Sequence, residues 1–188
     1  VNTRAAEVDP GSGIKMSVGD NSYQKFTAFH NTGVNELGWS SSFLLGFWQG
    51  DGWRNGMQGE GTTYAFSVGY TPRGSDHEFN FSLIGAGQWH HQAYYGTQLQ
   101  DYLDYGPIQG DDYRKFNQLY GEYQGEEFSV LRNYYNKPLA TFNWDWEISS
   151  RVTLATSIYG SAGRGGGTGL RGRGSYGVTA YRESFAEY

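Results

Sequence analysis

The residues best equipped for chemistry cluster in one stretch, Trp89-His90-His91 with Tyr94 and Tyr95. Two imidazoles beside three aromatic rings suggest a ligand platform or a metal site. Adjacent side chains on a strand point to opposite faces, so His90 and His91 do not easily share one metal ion, and no metal site is assigned. Stacking and hydrogen bonding to a substrate remain the chemistry expected of Trp89, His90, His91, Tyr94 and Tyr95, against a plain structural reading as a loop root. Asp111-Asp112 and Glu126-Glu127 supply carboxylates without a calcium-loop spacing, and solvated charges account for them. Gly163-Arg164-Gly165-Gly166-Gly167-Thr168-Gly169 lacks the Gly-Lys-Ser/Thr ending of a phosphate loop. Ser157 has no His/Asp frame around it. No catalytic residue, enzymatic activity or cofactor is therefore assigned.

The elements that must position these residues are strands. Gly is 29 of 188 residues, Tyr 16, Trp 6 and Pro only 4, a composition for many strands and tight turns rather than helix bundles. Cys is absent, which excludes disulfides and thiolate chemistry. The net charge of −5, with scattered basic residues and no aromatic RNA-binding signature, argues against a nucleic-acid partner. Mean hydropathy is −0.65 and no apolar run approaches the ~20 residues of a membrane helix. Alternating strands average to low hydropathy, so that value does not exclude a membrane barrel.

Period-2 alternation predicts seven strands, over about 14–19, 23–30, 37–48, 62–71, 77–88, 139–148 and 152–159. Phe43, Leu45, Phe66, Val68, Phe79, Phe81, Phe142, Trp144, Leu154 and Ile158 fall on one set of faces; small and polar residues fall on the other. Trp39, Tyr70 and Trp146 mark the short-turn strand ends, Trp48 and Trp89 the long-loop ends, as aromatic girdles would. Connections alternate in length: Asn31–Glu36, Pro72–Asp76 and Ser149–Arg151 are short, whereas Gln49–Gly61 and Trp89–Pro138 are long. The Gly-rich stretch Ser161–Gly174 follows as another outer loop. Short turns on one rim and long loops on the other suit an antiparallel transmembrane β-barrel, all-β in class. Seven strands are an odd number, so the expectation is a segment of a larger barrel. A short helix around Tyr113–Tyr120 is expected within the long loop, since Tyr113, Phe116, Leu119 and Tyr120 fall near one helical face.

Several stretches resemble the TonB-dependent outer-membrane receptors, in particular those of Bacteroidetes. They are Val1-Asn2-Thr3-Arg4, Asn21-Ser22-Tyr23-Gln24-Lys25-Phe26, Asn35-Glu36-Leu37-Gly38-Trp39, Gly85 to Gln92, Arg132 to Pro138 and Tyr159 to Gly167. The resemblance implies the N-terminal part of a 22-stranded barrel in the bacterial outer membrane. Residues 1–12 would end the plug and link it to the barrel; residues 13–188 would be barrel, with an extracellular loop at about 89–138. It further implies active import of a siderophore, glycan or peptide. The implied partners are outer-membrane lipid, the remaining strands and plug, the TonB complex through an upstream segment, and a surface lipoprotein lid. A structural or adhesion barrel, and a soluble β-sandwich binding module, remain the alternatives.

Overall fold

The computed structural model describes residues 3–93 and 96–169. Strand outweighs helix 55% to 10%, which makes the chain all-β and antiparallel. The main strands are β1 (Gly11–Val18), β2 (Gln24–Asn31), β3 (Trp39–Gly50), β4 (Gly59–Tyr70), β5 (His77–Gly85) and β6 (Gln88–His91). After a long excursion come β9 (Arg132–Asn136), β10 (Leu139–Ser149), β11 (Val152–Ser161) and β12 (Arg164–Gly167). The excursion itself holds α1 (Leu99–Tyr105) and the small hairpin β7 (Tyr120–Tyr123) and β8 (Glu126–Ser129).

The sheet order is β1-β2-β3-β4-β5-β10-β11, a simple meander. Its far end is extended by β6, β9 and β12, which pair side by side. Each of these continues a main strand in unbroken register. Ile84 faces Leu139 and Gln88 faces Tyr135; Leu139 faces Ser161 and Asn136 faces Arg164. The ladder is thus interrupted at 86–87, 137–138 and 162–163 without a slip. Pro138 explains one gap, because it has no N–H to donate. Seven long strands result, as the alternation predicts, and part of the expected outer loop after the seventh is strand β12. Among the described residues β1 and β11 are open edges, and no closed barrel forms.

Register sets the two faces, because side chains alternate with period 2. One face runs Ile14–Ala28–Leu45–Tyr64 and His30–Phe43–Phe66–Leu83, then Val68–Phe81–Phe142–Ile158 and Tyr70–Phe79–Trp144. It is aromatic and aliphatic from end to end, yet open: Met16 is 76% exposed, Leu45 56% and Ile158 64%. All ten residues assigned to it from the sequence lie on it. The opposite face carries Ser40, Ser67, Asn80 and Ser82, and these are buried. Trp48 belongs to that polar face, against the sequence expectation. It is one step on from Phe47, and its indole nitrogen lies over Gly61.

The short-turn rim is finished by stacked rings. Trp39 and Tyr70 stack at 4.3 Å, and Trp144 and Trp146 lie nearly parallel at 6.3 Å beside His77. Asn35 Oδ1 accepts from the backbone N–H groups of Leu37 and Trp39 and closes the turn before β3. Leu37, expected in the strand, sits in this turn and is exposed.

Candidate functional site

Three of the five residues singled out in the sequence lie on β6, not in the long loop. The β-ladder to β4 and β9 carries the chain past Trp89 to His91 before it leaves the sheet. Tyr94 and Tyr95 fall outside the described residues. Trp89 and His91 share the aromatic face, with ring centroids 5.3 Å apart, while His90 takes the polar face. Trp89 Nε1 donates to Glu60 Oε1 at 2.8 Å, and the Arg132 guanidinium stacks 4.2 Å over the indole. His91 Nδ1 lies 3.2 Å from Gln58 Oε1. The structure therefore joins Trp89 and His91 and separates them from His90, as alternation requires.

The described part of the long excursion from 96 to 131 folds as a lobe against the β3–β4 loop, 51–58. Asn55 and Asn117 hold the contact: Asn117 Nδ2 donates to Asn55 O at 2.9 Å, and Asn55 N donates to Lys115 O at 3.0 Å. Gln109 braces the lobe from within. Its Nε2 donates to the carbonyls of Asn117 and Tyr120, and its Oε1 accepts from Asn117 N. Phe116, Leu119 and Val130 are buried beneath, with Phe116 against Tyr102 and Tyr105. Gly56 has φ +66, and a Cβ there would fall 2.0 Å from the Tyr120 ring. Only glycine permits both that backbone and that approach.

The helix expected near Tyr113–Tyr120 is a single 3-10 turn over Tyr113–Lys115, and the lobe's α-helix is α1 instead. Phe116, at φ −52 and ψ 132, leaves helical geometry and ends the turn, while Asp112 caps its start. The Asp112 carboxylate accepts from Arg114 N and grips the Arg114 guanidinium at 2.8 and 2.9 Å. That hydrogen bonding holds the Asp112 carboxyl below the usual aspartate range, and it occupies the group considered for calcium.

Between lobe and loop lies a polar cleft of ≈ 330 Å³, lined by Asn21, Asp51, Trp53, Arg54, Gln58, Lys115 and Glu127 among others. Trp53 is half exposed, a flat ring beside amide, carboxylate and guanidinium groups. Such a mixture suits a polar ligand that also offers an apolar face. Sequence reasoning missed this cleft, since its residues come from three separated segments without a motif.

A second polar assembly occupies the buried face. Residues 3–10 cross it, with a 3-10 turn over Ala5–Glu7. The Asn80 side chain reads this segment's backbone: Nδ2 donates to Thr3 O at 3.0 Å, and Oδ1 accepts from Ala5 N at 3.1 Å. Ser67 Oγ donates to Thr3 O at 2.6 Å. Ala5 is fully buried, and Asn80 is 2% exposed. Arg4 pairs with Asp145 and lies 3.6 Å from Glu78. Asn80 and Asp145 lie on the face to which alternation assigns the small and polar residues.

Comparison with protein-family models, with curated proteins and with solved structures found no match for this chain.

Proposed function

We propose that the chain is part of the wall of a bacterial outer-membrane, TonB-dependent active transporter that imports a nutrient. One observation carries the membrane part of this reading: the apolar face of the sheet is open, while residues 3–10 bury the centre of its polar face. Seven strands at ~4.8 Å spacing, with an apolar band running ~27 Å from Trp39 to Phe47, make a face on the order of 900 Å². The largest apolar patch on a typical soluble monomer is roughly 300–600 Å². Lipid removes that cost, and it also explains the ringed rims. Open edges at β1 and β11 in lipid would cost several kcal/mol per unpaired group, so further strands must close them.

The transport part rests on the family resemblance and on the rim architecture. The folded lobe and the 51–58 loop stand together on the long-loop rim, where the polar cleft would meet a nutrient from outside. The segment clasped by Asn80 and Arg4's acidic partners then corresponds to the link between plug and wall. Energy coupling would come from the TonB complex through the plug, and a lipoprotein lid would sit over the lobe. An adhesion barrel would share the lipid face but has no use for a segment held across the lumen side.

The absence of Cys makes site-directed spin labelling direct. Thr156 and Ser157 are neighbours on β11 with opposite facings. In the full receptor in bilayers, a label at Thr156→Cys should be relaxed by oxygen and a label at Ser157→Cys by a water-soluble nickel chelate. Equal nickel access at both positions would sink the lipid reading. Deleting 98–129, which spares the β6–β9 ladder, should abolish TonB-dependent uptake with the barrel still inserted; full uptake would remove the lobe from the mechanism.

A further inference from the structure

The aromatic face is not uniform. At its long-loop end, where β4, β6, β9 and β12 meet, it sinks into a hollow of ≈ 400 Å³. Gly87 lines the hollow and places no side chain in it, and Gly166, across from Tyr134, places none on this face. Thr62 and Asn136 stand 3.5 Å from the point where a Gly87 Cβ would be, and the Tyr134 hydroxyl 2.8 Å from that of Gly166. Phe47, Trp89 and Tyr134 form its apolar walls, and Arg132 and Arg164 reach it from two strands.

The charge here is out of place for an apolar surface. Among the described residues neither Arg132 nor Arg164 has an ion-pair partner. Arg132 is held by the Trp89 ring, which fixes its plane without neutralising it. The one carboxylate lining the hollow, Glu60, is turned to the Trp89 N–H. Two guanidinium groups against one acid leave a net positive site, at the level where a lipid's headgroup joins its chains.

We propose that this hollow binds the phosphorylated headgroup of a membrane amphiphile in the outer leaflet, with Arg132 and Arg164 taking the phosphate and the apolar walls taking the adjoining sugar or acyl part. Guanidinium forks match phosphate oxygens bidentately, and unpaired cations beside lipid are stabilised by anionic headgroups. The inference rests on the lipid-facing reading of the aromatic face and adds a specific lipid class to it.

The test uses the full receptor in nanodiscs of phosphatidylcholine with or without a bis-phosphorylated glucosamine lipid, scored by how much of that lipid stays bound in native mass spectrometry. Arg132→Gln and Arg164→Gln should each weaken retention about fivefold, taking ~1 kcal/mol per interfacial cation, and Arg132→Lys should restore part of it. Glu60→Gln should strengthen retention, an opposite sign that a merely damaged barrel would not give. Unchanged retention in both arginine variants would overturn the proposal. So would equal competition by millimolar inorganic phosphate, which would make the site one for a free anion. The Thr156 and Ser157 labels separate the two failures: if they report a lipid face while retention ignores the arginines, only the headgroup site falls.

Discussion

The two faces of this sheet are built from the same strands and obey opposite rules. Ser40, Ser67, Asn80 and Ser82 are buried on one, while Phe43, Phe66, Phe81 and Phe142 stand open on the other. In a water-soluble sheet the apolar face seeks cover and the polar face seeks solvent. Here the centre of the polar face is covered by a peptide segment bonded to Asn80 and Ser67, and the aromatic face is left to its surroundings. The lesson is that burial follows specific partners on one side and the identity of the solvent on the other.

The sharpest way to break this contrast is to charge the open face at its middle. Phe66 sits between Phe43 and Leu83, midway along the apolar band from Thr62 to Tyr70. If lipid covers it at mid-bilayer, Phe66→Arg should cost ~2–4 kcal/mol in reversible unfolding from vesicles. In water the same change would be close to neutral, so an unchanged midpoint would reverse the assignment of solvent. The neighbouring Ser67 is no neutral control. It is buried and bonded to Thr3, so an arginine there would displace the segment rather than meet a wet lumen.

The covered face is tested by Asn80. Alanine at this position leaves Thr3 O short of one donor and Ala5 N–H without an acceptor, in a place closed to water. A buried unsatisfied group costs ~1–3 kcal/mol, so Asn80→Ala should destabilise by about 2 kcal/mol. The loss should appear first as faster hydrogen exchange at Ala5 and cleavage within residues 3–10, ahead of any change in β10 or β11. Protection that persists at Ala5 would show that Arg4 and its acidic partners hold the segment unaided.

How much of this could be read beforehand depends on the range of the interaction. Alternation is local, so Phe66, Val68, Phe81 and Phe142 declared their face from their own strands, and the first four of the seven strands needed only shifts at the ends. The last three ran further, as β6, β9 and β12, because these pieces hold one another in register and β6 and β9 lie more than forty residues apart in sequence. Trp48 was misplaced because a girdle position was inferred from its height along the strand while its parity was ignored. The clasp on Thr3, Arg4 and Ala5 was legible only as polar residues on an inward face, since one asparagine amide meets backbone atoms 75 and 77 residues distant. The polar cleft was equally silent, since Asp51, Arg54, Lys115 and Glu127 share a site only after the lobe has folded.

The smallest effect, and the one that tests the lobe by itself, is a pH dependence. Tyr120 opens β7 and packs on Gly56, and burial followed by its hydrogen bond to Glu127 pushes its hydroxyl up to about 12. An unfolded tyrosine ionises near 10. Between about pH 10 and about pH 12 the folded lobe therefore holds a proton that the unfolded lobe releases. Stability falls as pH rises through that window and is flat below it. The ring is only partly covered, so solvent screening keeps the effect small. Tyr120→Phe should remove this slope, and the difference in tyrosinate absorbance between wild type and Tyr120→Phe isolates one ring from the other 15 in the chain. That difference should rise towards pH 12, and Glu127→Gln should bring it down by removing the negative charge that resists ionisation. A difference curve centred near pH 10 would mean that the ring is bathed in water and that the lobe does not rest on the 51–58 loop.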